Sequence, residues 1–146
     1  MRIILKGKAL LAYTAGIIDG EGCICISRKA ENRYKKGYSL FLQVTVTNTK
    51  EWLGQWLKMQ FGGFIFADTG RGNRQVCWRW CVIGNDAIAF LEKVLPYLQL
   101  KKSQAELAIA FQKNRKRTKN LSEGDNAVQE AQRIMMMSLN KRGKGV

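Results

Sequence analysis

Residues 9–22 spell a short apolar helix that stops in two acids and two glycines, Ala9-Leu10-Leu11-Ala12-Tyr13 running into Thr14-Ala15-Gly16-Ile17-Ile18-Asp19-Gly20-Glu21-Gly22. Ala12, Gly16 and Gly20 recur at every fourth residue, so three successive turns offer almost no side chain on one face. A glycine inside a helix costs about 1 kcal/mol relative to alanine, which implies a contact that offsets it. A second helix approaching backbone to backbone is such a contact. Asp19 and Glu21 fall where the helix dipole is already negative, and a carboxylate there needs hydrogen-bond donors or a cation to compensate it. A divalent cation is one solution.

At 146 residues the chain is about one domain, read as a core over residues 1–120 and a C-terminal helix with a basic tail over 121–146. No apolar run approaches the ~20 residues that a membrane helix requires. Lysine and arginine outnumber aspartate and glutamate 25 to 11, giving a net charge of +14. A polyanionic partner follows, with nucleic acid the first candidate and an anionic membrane the second. The basic N-terminus leads straight into the glycine-rich helix with no secretory core, so the expected location is intracellular. Histidine is absent, which excludes Ser-His-Asp and Cys-His nucleophile systems. Any catalysis falls to carboxylates, metal and lysine. Cys23 and Cys25 form C-x-C, and Cys77 and Cys81 form C-x3-C. Neither is the C-x2-C knuckle of zinc sites, and both pairs read as small strand residues in a reducing compartment, with a disulfide the alternative in a hyperthermophile.

After Gly22 the residues alternate, with Cys23, Cys25, Ser27, Lys29, Glu31 and Arg33 on one face and Ile24, Ile26, Arg28 and Ala30 on the other. This predicts a strand through about Arg33. A Lys35-Lys36-Gly37 turn leads to a second strand whose inner face is Leu40, Leu42, Val44 and Val46 and whose outer face is Ser39, Phe41, Gln43, Thr45 and Thr47. A helix opens near Asn48-Thr49-Lys50-Glu51, turns Trp52, Trp56 and Met59 inward with Leu53 as a further inward candidate, and stops at Gly62-Gly63. A second hairpin follows, Phe64 to Asp68 and Gln75 to Ile83, around a basic glycine-rich turn. Val76, Trp78, Trp80 and Val82 share its inner face. Helices are predicted from Asn85 to Pro96, Lys101 to Lys116 and Ser122 to Leu139. The order is αββαββα with extra C-terminal helices, an α+β arrangement of helices on one face of an antiparallel sheet.

Tyr13 to Gly22 resembles the signature of the LAGLIDADG homing endonucleases, and the element order after it is the one that family uses. Pro96-Tyr97-Leu98-Gln99-Leu100-Lys101-Lys102-Ser103-Gln104-Ala105 is similar to the family as well, so the likeness covers roughly residues 8 to 116. The resemblance implies a saddle-shaped sheet seated in the DNA major groove and two motif helices packed side by side through Ala12, Gly16 and Gly20. Glu21 would then sit near its twin, and two anions so placed require cations between them. By the same resemblance Glu21, with the Gly20 carbonyl, holds Mg²⁺ or Mn²⁺, and Asp19 supports the helix end. Asn48 corresponds to a residue that positions solvent, and it is also a plausible helix cap. Lys101 corresponds to a lysine that stabilises charge on the scissile phosphate or helps activate water; beside Lys102 it also reads as an ordinary solvated lysine.

A two-stranded ribbon fits the major groove, where base edges carry a full donor and acceptor code. The outer-face candidates for DNA contact are Cys25, Ser27, Lys29, Glu31, Arg33, Ser39, Gln43 and Thr45 on the first hairpin. On the second they are Asp68, Arg71, Arg74, Gln75 and Arg79, with Lys102 and Lys116 added from the basic segments. One copy of the motif implies a homodimer on a pseudo-twofold target. The implied reaction is metal-dependent hydrolysis of both strands of a long DNA site in intron homing, with no small-molecule substrate and no membrane. An intron-encoded RNA maturase and a catalytically inactive DNA-binding regulator are the competing readings.

Overall fold

The computed structural model describes residues 4–69, 72, 75–115 and 121–141. Helix α1 (Gly7–Glu21) runs into strand β1 (Gly22–Ala30) with no intervening loop. The turn is this tight because Gly22 has no side chain: its N–H donates to the Ile18 carbonyl, and a Cβ would stand 2.8 Å from both Ile18 Cα and that oxygen. Strand β2 (Tyr38–Asn48) pairs antiparallel with β1, from Gly22 opposite Val46 to Ala30 opposite Tyr38. Leu40, Leu42, Val44 and Val46 are all buried on the helix side, as their alternation predicts. Each such side chain contributes about 1.5–3 kcal/mol by leaving water. A one-residue slip would put Gln43 and Thr45 there instead, so the register is strongly specified.

The rest of the chain repeats the pattern with helix α2 (Glu51–Phe61), strands β3 (Phe64–Asp68) and β4 (Cys77–Ile83), and helix α3 (Gly84–Val94). A 3-10 turn (Leu95–Tyr97) leads to α4 (Lys102–Asn114) and α5 (Glu123–Leu139). The antiparallel sheet has the order β1-β2-β4-β3, which places β1 and β3 at its edges. At the centre of the second half Trp80 is fully buried, donates its indole N–H to the Gly62 carbonyl at 2.8 Å, and meets the Phe90 ring edge-on at 5.2 Å.

Several expectations are corrected. Strand β1 stops at Ala30, and the chain turns there through Glu31 N–H to Gly37 O and Tyr34 N–H to Glu31 O, so Glu31 and Arg33 belong to the hairpin turn. Helix α2 buries Leu53, Gly54 and Leu57, while Met59 is 81% exposed and Trp52 and Trp56 are half-buried. The reason is Gly54, which lies so close under Ile65 that a Cβ would fall 2.3 Å from its Cδ1. Trp52 and Trp56 instead stack on each other with ring centroids 6.0 Å apart, and Trp56 meets Tyr13 edge-on at 5.6 Å. Strand β4 begins at Cys77, leaving Gln75 and Val76 exposed ahead of it.

Helix α5 begins at a Ser122 cap, whose hydroxyl accepts the Asp125 N–H at 3.1 Å, and it straps the first hairpin. Lys36 donates to Asn126 at 2.9 Å, the Tyr38 hydroxyl donates to Glu130, and Asn140 donates to the Ile24 carbonyl of edge strand β1 at 2.8 Å.

Candidate functional site

The acids at the end of α1 are compensated within the chain. Asp19 accepts three backbone N–H groups from the segment before α4, those of Gln99 at 2.9 Å, Leu100 at 3.1 Å and Lys101 at 3.0 Å. The Lys101 ammonium donates to the Ile18 carbonyl at 3.1 Å and the Gly22 carbonyl at 2.6 Å, a cation placed on the negative end of the helix. Glu21 takes its donor from the sheet, accepting Asn48 Nδ2 on Oε2 at 2.7 Å. Asn48 in turn accepts the Lys50 N–H on Oδ1 at 2.8 Å, which fixes the direction of its amide at the start of α2. Asp19, Glu21, Asn48 and Lys101 thus converge on one helix end from three parts of the chain, α1 itself, the end of β2 and the segment before α4. The two acids differ in availability: Asp19 is spent on backbone amides, and Glu21 is exposed at the rim.

These donors replace the cation that the dipole alone suggested, and among the described residues no three His, Cys, Asp or Glu side chains cluster to hold a metal ion. One chain offers Glu21 alone. The demand for a cation arises when a second Glu21 is brought beside it. The surface that could do so is an open groove of about 570 Å³ along α1, lined by Ala12, Tyr13, Gly16, Ile17, Gly20 and Glu21 and closed off by Asn48 and Trp52. Ala12, Gly16 and Gly20 are exposed, and a Cβ added at either glycine would meet nothing within 4 Å. Nothing among the described residues requires those two glycines to be small.

Of the predicted contact residues, Cys25, Ser27, Lys29, Gln43, Thr45, Asp68 and Arg79 share the outer sheet face. Across its middle, Ser27 donates to Gln43 Oε1 at 3.2 Å and Gln43 Nε2 donates to Cys81 Sγ at 3.5 Å, so the amide bridges from β1 to β4. Thr45 lies between Cys23 and Cys81 in the register. The four cysteines form no disulfide; the neighbouring Cys23 thiol and burial hold the Cys25 thiol far above its ordinary value, and burial pushes Cys81 up. Cys25 and Cys81 are therefore small neutral residues. Lys29 and Arg33 flank Glu31 at 3.7 and 3.4 Å. Arg79 is held by Thr47 Oγ1 at 3.3 Å and by Asp68 at 3.9 Å. Lys102 is exposed at the first position of α4.

Ser39 departs from the prediction. It is only 9% exposed and lines a small cavity with Tyr34, Arg115, Leu121 and Gln129, enclosed where α5 and the segment before it cross the hairpin. Arg71, Arg74 and Lys116 lie outside the described residues. Thr47, outward by alternation, belongs to the same face through its bond to Arg79. Phe64 and Phe66 escaped notice because Phe64 to Ala67 is uniformly apolar and shows no face; both are exposed on the outer side.

No family model matches the chain. It is similar to DNA endonuclease I-CvuI of Chlorella vulgaris, 30% identical over 112 residues that make up 76% of this chain and 68% of that protein. DNA endonuclease I-CreI of Chlamydomonas reinhardtii is 31% identical over 104 residues, 70% of this chain and 61% of that protein. The crystal structure of the homing endonuclease I-CvuI with the I-CreI target and 2 mM Mg, its DNA not cleaved, superposes with a TM-score of 0.76 at 26% identity over 94% of this chain and 85% of that one. The meganuclease I-SmaMI, bound to uncleavable DNA, shares the fold at 18% identity and a TM-score of 0.62, over 92% of this chain and 45% of its own. A helix that ends in Asp19-Gly20-Glu21-Gly22, the αββαββα order built on it and kinship with I-CvuI over two thirds of that protein's length place this chain in the LAGLIDADG homing endonuclease family.

Proposed function

We infer that the chain is a site-specific DNA endonuclease that acts as a homodimer and cuts both strands of a long pseudo-palindromic duplex in a reaction dependent on a divalent metal. The observation that carries this reading is Glu21, exposed at the end of α1, oriented by Asn48 and set on the rim of a groove whose glycines have open space above them. In I-SmaMI this fold occupies less than half of one chain, whereas here each chain has a single motif, so two chains supply the pair of acids. Glu21 and the Gly20 carbonyl offer the hard oxygen donors that Mg²⁺ prefers. The ion would supply activation of water and neutralisation of charge on the phosphate. Lys101, fixed on the carbonyls of Ile18 and Gly22, keeps a positive charge beside the acid that the phosphate must approach. Asn48 orients the Glu21 carboxylate, and through it the solvent around the site. The outer face, with Lys29, Gln43, Thr45 and Arg79, reads bases, and the +14 charge draws in the phosphate backbone.

The test starts from selection of a target out of a randomised duplex library, which is then cloned into a plasmid. Linear plasmid in Mg²⁺, and intact circles in EDTA, are expected. Tight binding with no cutting in Mg²⁺ would leave a regulator instead, and failure to enrich any duplex while binding a structured intron RNA would leave a maturase.

A further inference from the structure

Two phenylalanines stand on a face otherwise built for polar contact. Phe64 and Phe66, two residues apart on edge strand β3, are 45% and 43% exposed, and their rings stack with centroids 6.2 Å apart at 22°. Their partners in the register are Cys81 and Arg79, which sets them on the outer side with Thr45 and Thr47. The core does not use them, because Ile65 between them is the side chain that packs inward on Gly54. Beside this pair the Arg79 guanidinium lies 5.8 Å from the Phe66 ring centroid while Thr47 and Asp68 hold its nitrogens. An apolar plate therefore abuts a guanidinium whose direction is fixed.

We propose that the Phe64–Phe66 plate reads the C5-methyl group of a thymine in the major groove, adjacent to a guanine taken by Arg79, and so determines specificity at one base step of each half-site. The proposal rests on the DNA-endonuclease reading above. Among the base edges of the major groove the thymine methyl is the one apolar group, and guanine O6 and N7 are the acceptors that an arginine fork matches. Duplex DNA is the occupant because Arg79 and Lys29 share this face in a chain of charge +14. Covering one methyl is worth about a fourfold change in affinity, or roughly fifteenfold over the two half-sites of a dimer.

The experiment uses the full chain and its selected duplex. Each thymine is replaced symmetrically by deoxyuridine, which removes only the methyl, and binding is measured in Ca²⁺ for the wild type and for the double variant Phe64→Ser/Phe66→Ser. Support is a single thymine position, next to a guanine, where deoxyuridine weakens the wild type by about fifteenfold and leaves the variant unchanged. Equal deoxyuridine effects in both proteins overturn the proposal and leave the endonuclease reading standing. The wild-type scan can overturn the proposal even if the double variant does not fold, since the absence of any methyl-sensitive position refutes it, and the conservative Phe64→Leu and Phe66→Leu single variants then take the double variant's place in the comparison. If no duplex is enriched at all, both readings fall together.

Discussion

Replacing Gly16 by leucine should move the stability of the monomer and of the dimer in opposite directions. Within one chain a Cβ at this position meets nothing within 4 Å, so the new side chain has room, and relief of glycine's helix penalty should add up to about 1 kcal/mol. In the proposed dimer the same position lies where two small-faced helices meet. An extra side chain forced into a packed contact costs about 1–3 kcal/mol, and twofold symmetry brings in two, for about 2–6 kcal/mol in all. The dimer constant should weaken by roughly 30-fold to 10⁴-fold. Sedimentation equilibrium reads that constant, and a urea melt at low concentration reads the fold. Cleavage should fall in parallel with dimerisation and recover at high protein concentration by mass action. A variant that stays dimeric and cuts normally would refute the placement of the interface. A variant with an unstable monomer would show that Gly16 serves a contact inside the chain.

Three further substitutions test the supports of the site and the strap beside it. Asp19→Ala leaves three backbone N–H groups without their charged acceptor, and a loss of about 2–4 kcal/mol is expected, seen by calorimetry as a fall in Tm of roughly 5–15 °C; an unchanged Tm would mean that water replaces the carboxylate. Gly22→Ala pushes a Cβ against the Ile18 backbone and should cost about 1–3 kcal/mol in a urea melt, with wild-type stability as the contrary result. The hydrogen bond from Tyr38, with Arg133 alongside, holds the Glu130 carboxyl below its ordinary value of 4.5. The folded value is then below the unfolded one, so this stabilisation is complete above about pH 4.5 and is lost as pH falls through the folded value. Glu130→Gln should flatten that part of the urea midpoint against pH, and an acid slope equal to that of the wild type would contradict the assignment.

What could be read from the sequence was what repeats along it. The alternation of Leu40, Leu42, Val44 and Val46 gave the sheet's inner face and, by continuing to Asn48, the residue that meets Glu21. The fourfold spacing of Ala12, Gly16 and Gly20 likewise marked an exposed small face. Roles decided by distant backbone were not legible in spacing or periodicity, and for the two acids only the family resemblance suggested them. Asp19 and Glu21 stand two residues apart at one helix end, and only the N–H groups of residues 99–101, some 80 positions later, separate the supporting acid from the exposed one. Ser39 alternates outward with Gln43 and Thr45, yet the crossing of the C-terminal helix encloses it. The inward face of α2 carries the i, i+4 pair Leu53 and Leu57. What turns it that way rather than towards Trp52, Trp56 and Met59 is Gly54 under Ile65, a contact between elements that the sequence of α2 does not encode. Phe64 and Phe66 were silent for a similar reason, since a short apolar strand reveals its faces only once its neighbour and its edge position are known.

The role of Glu21 is tested most directly by single-turnover cleavage of the selected target in Mg²⁺ by the wild type and by Glu21→Gln, with dimerisation and DNA binding measured on the same samples. Glutamine keeps the size of the side chain and an acceptor for Asn48 while removing the charge that would hold the metal. Dimer and bound complex should form as in the wild type, and the cleavage rate should fall by about 10³-fold or more, the equivalent of several kcal/mol of metal-assisted catalysis. Cutting by Glu21→Gln at the wild-type rate, still dependent on Mg²⁺, would contradict the assignment of Glu21 as the metal-holding acid.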